Sequence, residues 1–340
     1  MQLTLPESNR KPILRWLVVC LALVSLMVVV GGLTRLTESG LSMVEWKPTT
    51  ILPPLNDQQW LEEFSKYQQS PEYQKVNKGF GVEGFKQIFW LEYIHRLLGR
   101  LIGAVFFFPF AYFLARRMIP FPLTWRLAGI FLLGGMQGCI GWYMVRSGLV
   151  DQPWVSPVRL MLHLGMAFLL FGMLWWQILK LQYHDSPLPH RKPFLWIGLL
   201  IALYLQILMG ALVAGMDAGL LFNTFPTMAG EWVPAGIWLL DPWYLNLFEN
   251  GTTVHFLHRL GALIVTVALV LAVFQTLHSQ KHATVRENAK LIFAALIAQI
   301  VLGILTVVYA VPIAIATAHQ GAALLLMAAV IRQFFLSQRT

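Results

Sequence analysis

Four histidines occupy matching places in the two halves of this 340-residue chain: His95 and His163, then His258 and His319. Each lies near the start of a long apolar run. The first of each pair precedes an arginine, in Glu92-Tyr93-Ile94-His95-Arg96 and in His255-Phe256-Leu257-His258-Arg259. An ionisable side chain inside a bilayer is expensive and marks a functional site by default. Two imidazoles on facing helices are the donor set that holds a haem iron from both axial sides. A neutral imidazole pair such as His258 and His319 would give six-coordinate iron suited to electron transfer, with Arg259 beside it to pair with a propionate. A single membrane histidine is read equally well as an interhelical hydrogen bond. Two in register, repeated in the other half, favour ligation.

The first half carries one group more. Glu92 stands three residues before His95, on the same helix face, where the second half has His255. A carboxylate beside a bound macrocycle can move protons or stabilise a developing cation. It can equally form a salt bridge with Arg96 or Arg100, and the two roles are compatible. Arg96 and Arg100 are further candidate propionate partners. His255 either supports His258 or ligates in its own right. His184, His190, His278 and His282 fall at or near the loops on the other side, where a solvated surface role is expected.

The elements that must position these groups follow from composition. With 57% hydrophobic and only 12% charged residues, the chain is no soluble domain. Uncharged apolar runs of about 18 residues or more imply membrane helices, and eight are expected, over 14–33, 90–115, 126–145, 159–179, 193–215, 253–277, 290–310 and 315–335. The net charge of +9 is topological. Arg10, Lys11 and Arg15, then Arg116, Arg117 and Arg126, Lys180, Arg191 and Lys192, Lys281, Arg286 and Lys290, and finally Arg332 and Arg339 all fall on one side. The opposite short loops carry only Arg146 and Arg159. The positive-inside rule therefore puts both termini in the cytoplasm, and nucleic acid is not an expected partner. The first run has a basic n-region like a signal peptide, but its length and the lack of a small-residue cleavage site favour a retained helix. Cys20 and Cys139 both fall within apolar runs, so neither a disulfide framework nor a cysteine-rich metal site is expected.

The fold class expected is an all-α membrane protein of eight transmembrane helices in two repeated four-helix bundles, residues 1–185 and 186–340. Gln137-x-x-x-Gly141 in the first matches Gln299-x-x-x-Gly303 in the second, and Gly31-Gly32-Leu33 resembles Gly210-Ala211-Leu212. An even number of spans per unit makes the repeats parallel, related by an axis along the membrane normal. Gly134, Gly135, Gly138 and Gly141, with Gly303, are expected to pack helices closely, and Gln137 and Gln299 to hydrogen-bond between helices. In the outer loop 34–88, Trp60, Phe64 and Tyr67 recur at i, i+4 and i+7. A short amphipathic helix is expected there, lying on the membrane surface or packed over the bundle mouth. The outer loop 216–250, without lysine or arginine and rich in Trp, Phe, Leu and Pro, is expected to fold back as a lid or hairpin.

The run from Gly31 to Pro48 (GGLTRLTESGLSMVEWKP), then Glu92-x-x-His95-Arg96-x-x-Gly99-Arg100, His163, His258-Arg259 and His319 closely resembles the haem A synthase family over essentially the whole chain. It is similar to the proteobacterial and mitochondrial branch, since the other branch has a cysteine pair in an outer loop. The resemblance implies oxidation of a methyl substituent of haem O to a formyl group by two hydroxylations, making haem A for cytochrome oxidase. It implies that His258 and His319 hold a permanent haem b, that His95 and His163 receive haem O, and that Glu92 lies close to the reaction. It also implies a bacterial inner membrane with the haem sites toward the periplasm. Haem O synthase and cytochrome oxidase assembly factors are its implied partners, besides the lipid bilayer, and a homo-oligomer is compatible with it. At His255 the resemblance leads one to expect a non-ligating polar residue. The rival classes are a di-haem electron carrier of cytochrome b type, which needs no reactive carboxylate, and a haem transporter or chaperone.

Overall fold

The computed structural model describes residues 5–46, 52–150, 152–183 and 193–338. Lys47, Pro48, His184, His190, Arg191, Lys192 and Arg339, named above, lie outside these. Eight described helices are long and apolar enough to cross a membrane: α1 (Glu7–Leu36), α4 (Val82–Ala115), α5 (Phe121–Arg146), α6 (Pro157–Gln182), α7 (Pro193–Gly215), α9 (Gly251–Ser279), α10 (Ala283–Val308) and α11 (Ile313–Ser337). The shortest has 23 residues. At about 1.5 Å per residue it still exceeds a hydrocarbon core of about 30 Å. Lipid offers backbone groups no partners, so each apolar run closes its own hydrogen bonds as a helix. The chain is an all-α integral membrane protein. The shorter α2 (Asp57–Tyr67), α3 (Pro71–Lys75) and α8 (Asn246–Glu249) lie in the two long loops.

The helices pack as two rings. In the first, α1 packs on α4, α4 on α5, α5 on α6, and α6 back on α1; in the second, α7 packs on α9, α9 on α10, α10 on α11, and α11 back on α7. α6 against α7, and α11 against α1 and α6, join the rings. The joint is apolar, with Val28, Phe168, Phe171, Leu203, Met327 and Ile331 in one buried cluster. Hydrogen bonds cross it from Trp175 Nε1 to the Ala328 carbonyl (2.9 Å) and from Tyr204 Oη to the Gly165 carbonyl (3.0 Å). Between helices in lipid such bonds add to van der Waals packing. Outward-facing side chains such as Phe108, Leu132, Leu263 and Leu325 stay exposed, as a lipid-facing surface requires.

The outer loop settles one open expectation. α2 packs over the mouth of the first ring. Trp60, Phe64 and Tyr67 are all buried, and their rings lie 6.3, 5.4 and 5.1 Å from the ring of Phe85. The side chain of Asn56 caps α2 by accepting from the Gln59 amide at 2.9 Å. α4 begins at Val82, a full two turns before the expected start at 90, because Phe85 and Phe89 are the floor on which α2 rests. The apolar run alone marks only the part inside lipid. The second outer segment holds two 3₁₀ turns and α8 above the second ring.

Phe85→Ala should release α2 at a cost of about 3–5 kcal/mol. Limited proteolysis would read this as faster cleavage within residues 56–77, with the eight spans intact; an unchanged cleavage rate would refute the floor assigned to Phe85.

Candidate functional site

His95 and His163 stand on α4 and α6, which lie diagonally across the first ring and are not among its packed neighbours. His258 and His319 stand on α9 and α11, diagonal in the second. The other diagonal supplies a glycine opposite each imidazole. A Cβ on Gly31 of α1 would stand 3.3 Å from His95 Nε2, and one on Gly141 of α5 would stand 2.8 Å from His163 Cε1. In the second ring, Gly210 of α7 faces His258 Cε1 at 3.1 Å and Gly303 of α10 faces His319 Cε1 at 2.9 Å, measured the same way. Contacts near or under 3 Å leave no room for a side chain, so each ring is seated on a bare backbone.

The first ring encloses a cavity of about 1080 Å³, lined by His95, His163, Glu92, Gly31 and Gly141 together. That is at the upper end of cofactor-sized sites, roughly 300–1,000 Å³. Its outer end is polar, with Arg35, Arg96, Arg100 and Arg146; its inner end is apolar, with Val24, Ile102, Ala167 and Leu170. The glycines of α5 correct an expectation. A Cβ at Gly134, Gly135 or Gly138 would meet nothing within 4 Å, and Gly134 and Gly138 line the cavity. They do not pack helices; the missing side chains keep this wall clear. Gly141 and Gly303 do make close approaches, but to the histidine rings. Gln137 Nε2 donates to the His163 carbonyl (3.0 Å) and Gln299 Nε2 lies 3.3 Å from His319 Nε2, so both bond between helices as expected.

Glu92 is buried and held by four donors. Oε2 accepts from Ser42 Oγ and the Met43 amide, both at 2.7 Å, and Oε1 accepts from Arg96 Nε (3.0 Å) and Nη2 (2.6 Å). The salt-bridge reading of Glu92 therefore holds, and the carboxylate also faces the cavity. Arg96 donates besides to the Met43 and Glu45 carbonyls at 2.7 and 2.8 Å. In the second ring, Arg259 donates from Nε to His255 Nε2 (3.0 Å) and from Nη1 and Nη2 to the Thr224 and Phe222 carbonyls, at 2.9 and 2.8 Å. His255 thus takes the place of Glu92 as partner of the arginine that follows the first histidine of each pair. Both arginines latch an outer segment onto their ring. Arg100 lines the cavity one turn deeper than Arg96.

Three further groups escaped sequence reading. Arg35 lines the cavity on the side of the second ring, its Nη2 donating to both Asp217 carboxylate oxygens (2.7 and 2.8 Å) and to the Ala214 carbonyl (2.8 Å). Gln206 Nε2 lies 2.9 Å from His258 Nδ1 and donates to the His258 carbonyl (2.8 Å). Its sequence signal was available: Gln206-x-x-x-Gly210 repeats the spacing of Gln137-x-x-x-Gly141. Glu72, in α3, lines the cavity and accepts from Tyr67 Oη at 2.9 Å. Burial pushes its carboxyl up to about 7, and the same desolvation pushes the Tyr67 phenol upward.

The donor set fits a haem. Paired imidazoles cross each ring, glycines seat their edges, and His163 Nδ1 is buried with no hydrogen-bond partner. Among the described residues no cluster of three or more His, Cys, Asp or Glu could hold a bare metal ion. Fold and site define a class: a helical membrane protein with a pair of histidines on the diagonal helices of each of two rings. Residues 14–331 match the family model described as cytochrome oxidase assembly protein, and the chain belongs to that family. Its relatives include "Heme A synthase" of Nitrosospira multiformis, 46% identical over 96% of this chain and 95% of that protein. The enzymes of the same name from Nitrosomonas eutropha (46%; 95% and 92%) and Bradyrhizobium sp. (43%; 95% and 91%) match similarly.

The raised carboxyl of Glu72 predicts a pH-dependent cap. Unfolded, Glu72 loses its proton near its ordinary 4.5; folded, it keeps the proton to about 7. Its contribution to the packing of α2 and α3 is therefore complete below 4.5 and is lost as pH rises through about 7. Protease susceptibility of residues 56–77 should rise between about pH 5 and about pH 8, and Glu72→Gln should flatten that rise; an equal slope in the variant would contradict it.

Proposed function

We propose that this chain is a haem A synthase, which oxidises a methyl substituent of haem O to a formyl group by two hydroxylations and loss of water from the gem-diol. The observation carrying this reading is the first-ring cavity, where His95, His163 and Glu92 converge. His95 and His163 would take the substrate iron from its two faces. The apolar inner end suits the isoprenoid tail, and the guanidinium-rich outer end suits the propionates. In this reading the chain divides into a substrate half, 1–185, and a second half, 186–340. Both termini are cytoplasmic and the histidines lie toward the periplasm.

His258 and His319 would hold a resident haem b, which supplies one-electron redox chemistry when bound. Every other task falls to the chain itself. Arg96, Ser42 and the Met43 amide fix the Glu92 carboxylate without reorganisation, so it can stabilise positive charge developing on the substrate or accept a proton at Oε1 or Oε2. α2 and α3 cover the mouth and restrict water. Arg100, which lines the cavity, is a candidate propionate partner, as are Arg96 and Arg259, which hold loop carbonyls. Delivery of haem O from its synthase, and of haem A to oxidase assembly factors, is the partner relation this function requires.

Expression beside a haem O source, followed by haem extraction and chromatography, tests the reading. The wild-type chain should yield haem A, and Glu92→Ala or Glu92→Gln should lower the yield by about 10²-fold or more. No haem A, with two full haem b per chain, would establish the electron carrier instead. In the same cells His258→Ala or His319→Ala should abolish the resident low-spin spectrum. His95→Ala or His163→Ala should keep that spectrum and stop haem A formation; unimpaired turnover would reverse the assignment of the pairs.

A further inference from the structure

The cavity around His95 and His163 has a second buried carboxyl in its wall, Glu72, to which the chemistry of Glu92 and the histidines gives no task. It stands on α3, in the cap over the first ring, and is only 4% exposed. It borders the same cavity as Glu92. Carboxylates are almost never fully buried unless paired, yet no salt bridge among the described residues reaches this one. Gln74 and Lys75 on the same short helix are exposed, so outer water stands within a turn of it.

The two carboxylates are furnished for different work. Glu92 is saturated: four donors, two of them on Arg96, occupy its oxygens, and a proton there would have to displace one. Glu72 accepts from Tyr67 Oη at 2.9 Å, and Asn77 Nδ2 holds that phenol oxygen at 2.8 Å. A carboxylate with one such donor has lone pairs left for a proton. Burial pushes the Glu72 carboxyl up to about 7; the Tyr67 hydrogen bond from α2 pulls it down, while the charges of Glu92 on α4 and Glu38 after α1 push it up. It therefore changes charge near neutrality, where an ordinary carboxyl stays ionised. Turning a methyl into a formyl group replaces C–H bonds and changes the number of protons held in the chamber. With α2 and α3 over the mouth, those protons need a group that carries them past the cap.

We propose that Glu72 is the proton port of the first ring: its carboxylate takes up a proton on one side of the cap and its carboxyl releases that proton on the other, with no electron transferred. Glu92 is left to its four donors and to the substrate. Tyr67 is a positioning residue that holds the port carboxyl through Oε2. The inference rests on the proposed reading of this cavity as the reaction chamber.

The full chain carrying His258→Ala, in detergent and loaded with haem b as a stand-in for haem O, leaves only the first ring with both histidines. The reduction potential of that haem should begin to fall as pH rises past about 7, because reduction adds negative charge that a nearby carboxylate answers by taking a proton. Glu72→Gln, which keeps an acceptor toward Tyr67, should remove this inflection. Tyr67→Phe should move it to higher pH, since the lost hydrogen bond favours the ionised form. In the otherwise wild-type chain beside a haem O source, Glu72→Gln should lower haem A by about 10²-fold. An inflection unchanged in Glu72→Gln, or a haem A yield within about twofold of wild type, would overturn the inference. If that variant fails to fold, an inflection unmoved by Tyr67→Phe overturns it alone. A His258→Ala chain that takes up no haem would instead refute the ligand reading of His95 and His163, and the haem A yield of Glu72→Gln would then decide the port by itself.

Discussion

A histidine in the middle of a membrane bundle needs room for its ring beside a neighbouring backbone. The whole architecture depends on how that need is met. Each ring of four helices sets two histidines on one diagonal and two glycines on the other, so close that a Cβ on any of the four glycines would stand 2.8–3.3 Å from an imidazole. The histidine helices are therefore held apart by the glycine helices between them. In the first ring a cavity of about 1080 Å³ remains between the two histidine helices. Polar hydrogen bonds along the seams, such as those of Gln137, Gln206 and Gln299, hold the helices in register.

A second constraint couples this layer to water. The arginine after the first histidine of each pair turns outward and grips backbone carbonyls of a loop: Met43 and Glu45 for Arg96, Phe222 and Thr224 for Arg259. Its inner partner differs, a carboxylate in one ring and an imidazole in the other. The same latch serves both loops, but only one ring gains a negative charge facing its cavity. That single difference is the chemical asymmetry between the two rings on which the proposed division of labour rests.

The eight spans, the four histidines and the place of Glu92 were legible in the sequence, because long apolar runs and isolated polar residues within them have few other meanings in lipid. Other features were not. Glycines lining a void and glycines packing a helix look alike, so Gly134 and Gly138 were read as packing when they border the cavity. The start of α4 was set too late because Phe85 and Phe89 answer to aromatic residues some twenty positions earlier. Arginine announces a charge, while the direction of its five N–H groups depends on loops that no periodicity describes. Gln206 shares the spacing of Gln137 and Gln299 to a glycine, but it lies on α7, at the start of the second half, where the offset between the halves does not align it with either.

The wall between the rings has one more implication. Arg35 binds Asp217 and the Ala214 carbonyl, and Ala211, Asp217 and Gln320 all border the cavity built around His95 and His163. Gln320 follows His319 directly and donates to the Val28 carbonyl of α1. The cavity is therefore a shared room: part of its wall belongs to the polypeptide's other half. Cut into two fragments, neither piece would contain an intact chamber, and joining both modules in one continuous strand guarantees that the chamber is always built whole.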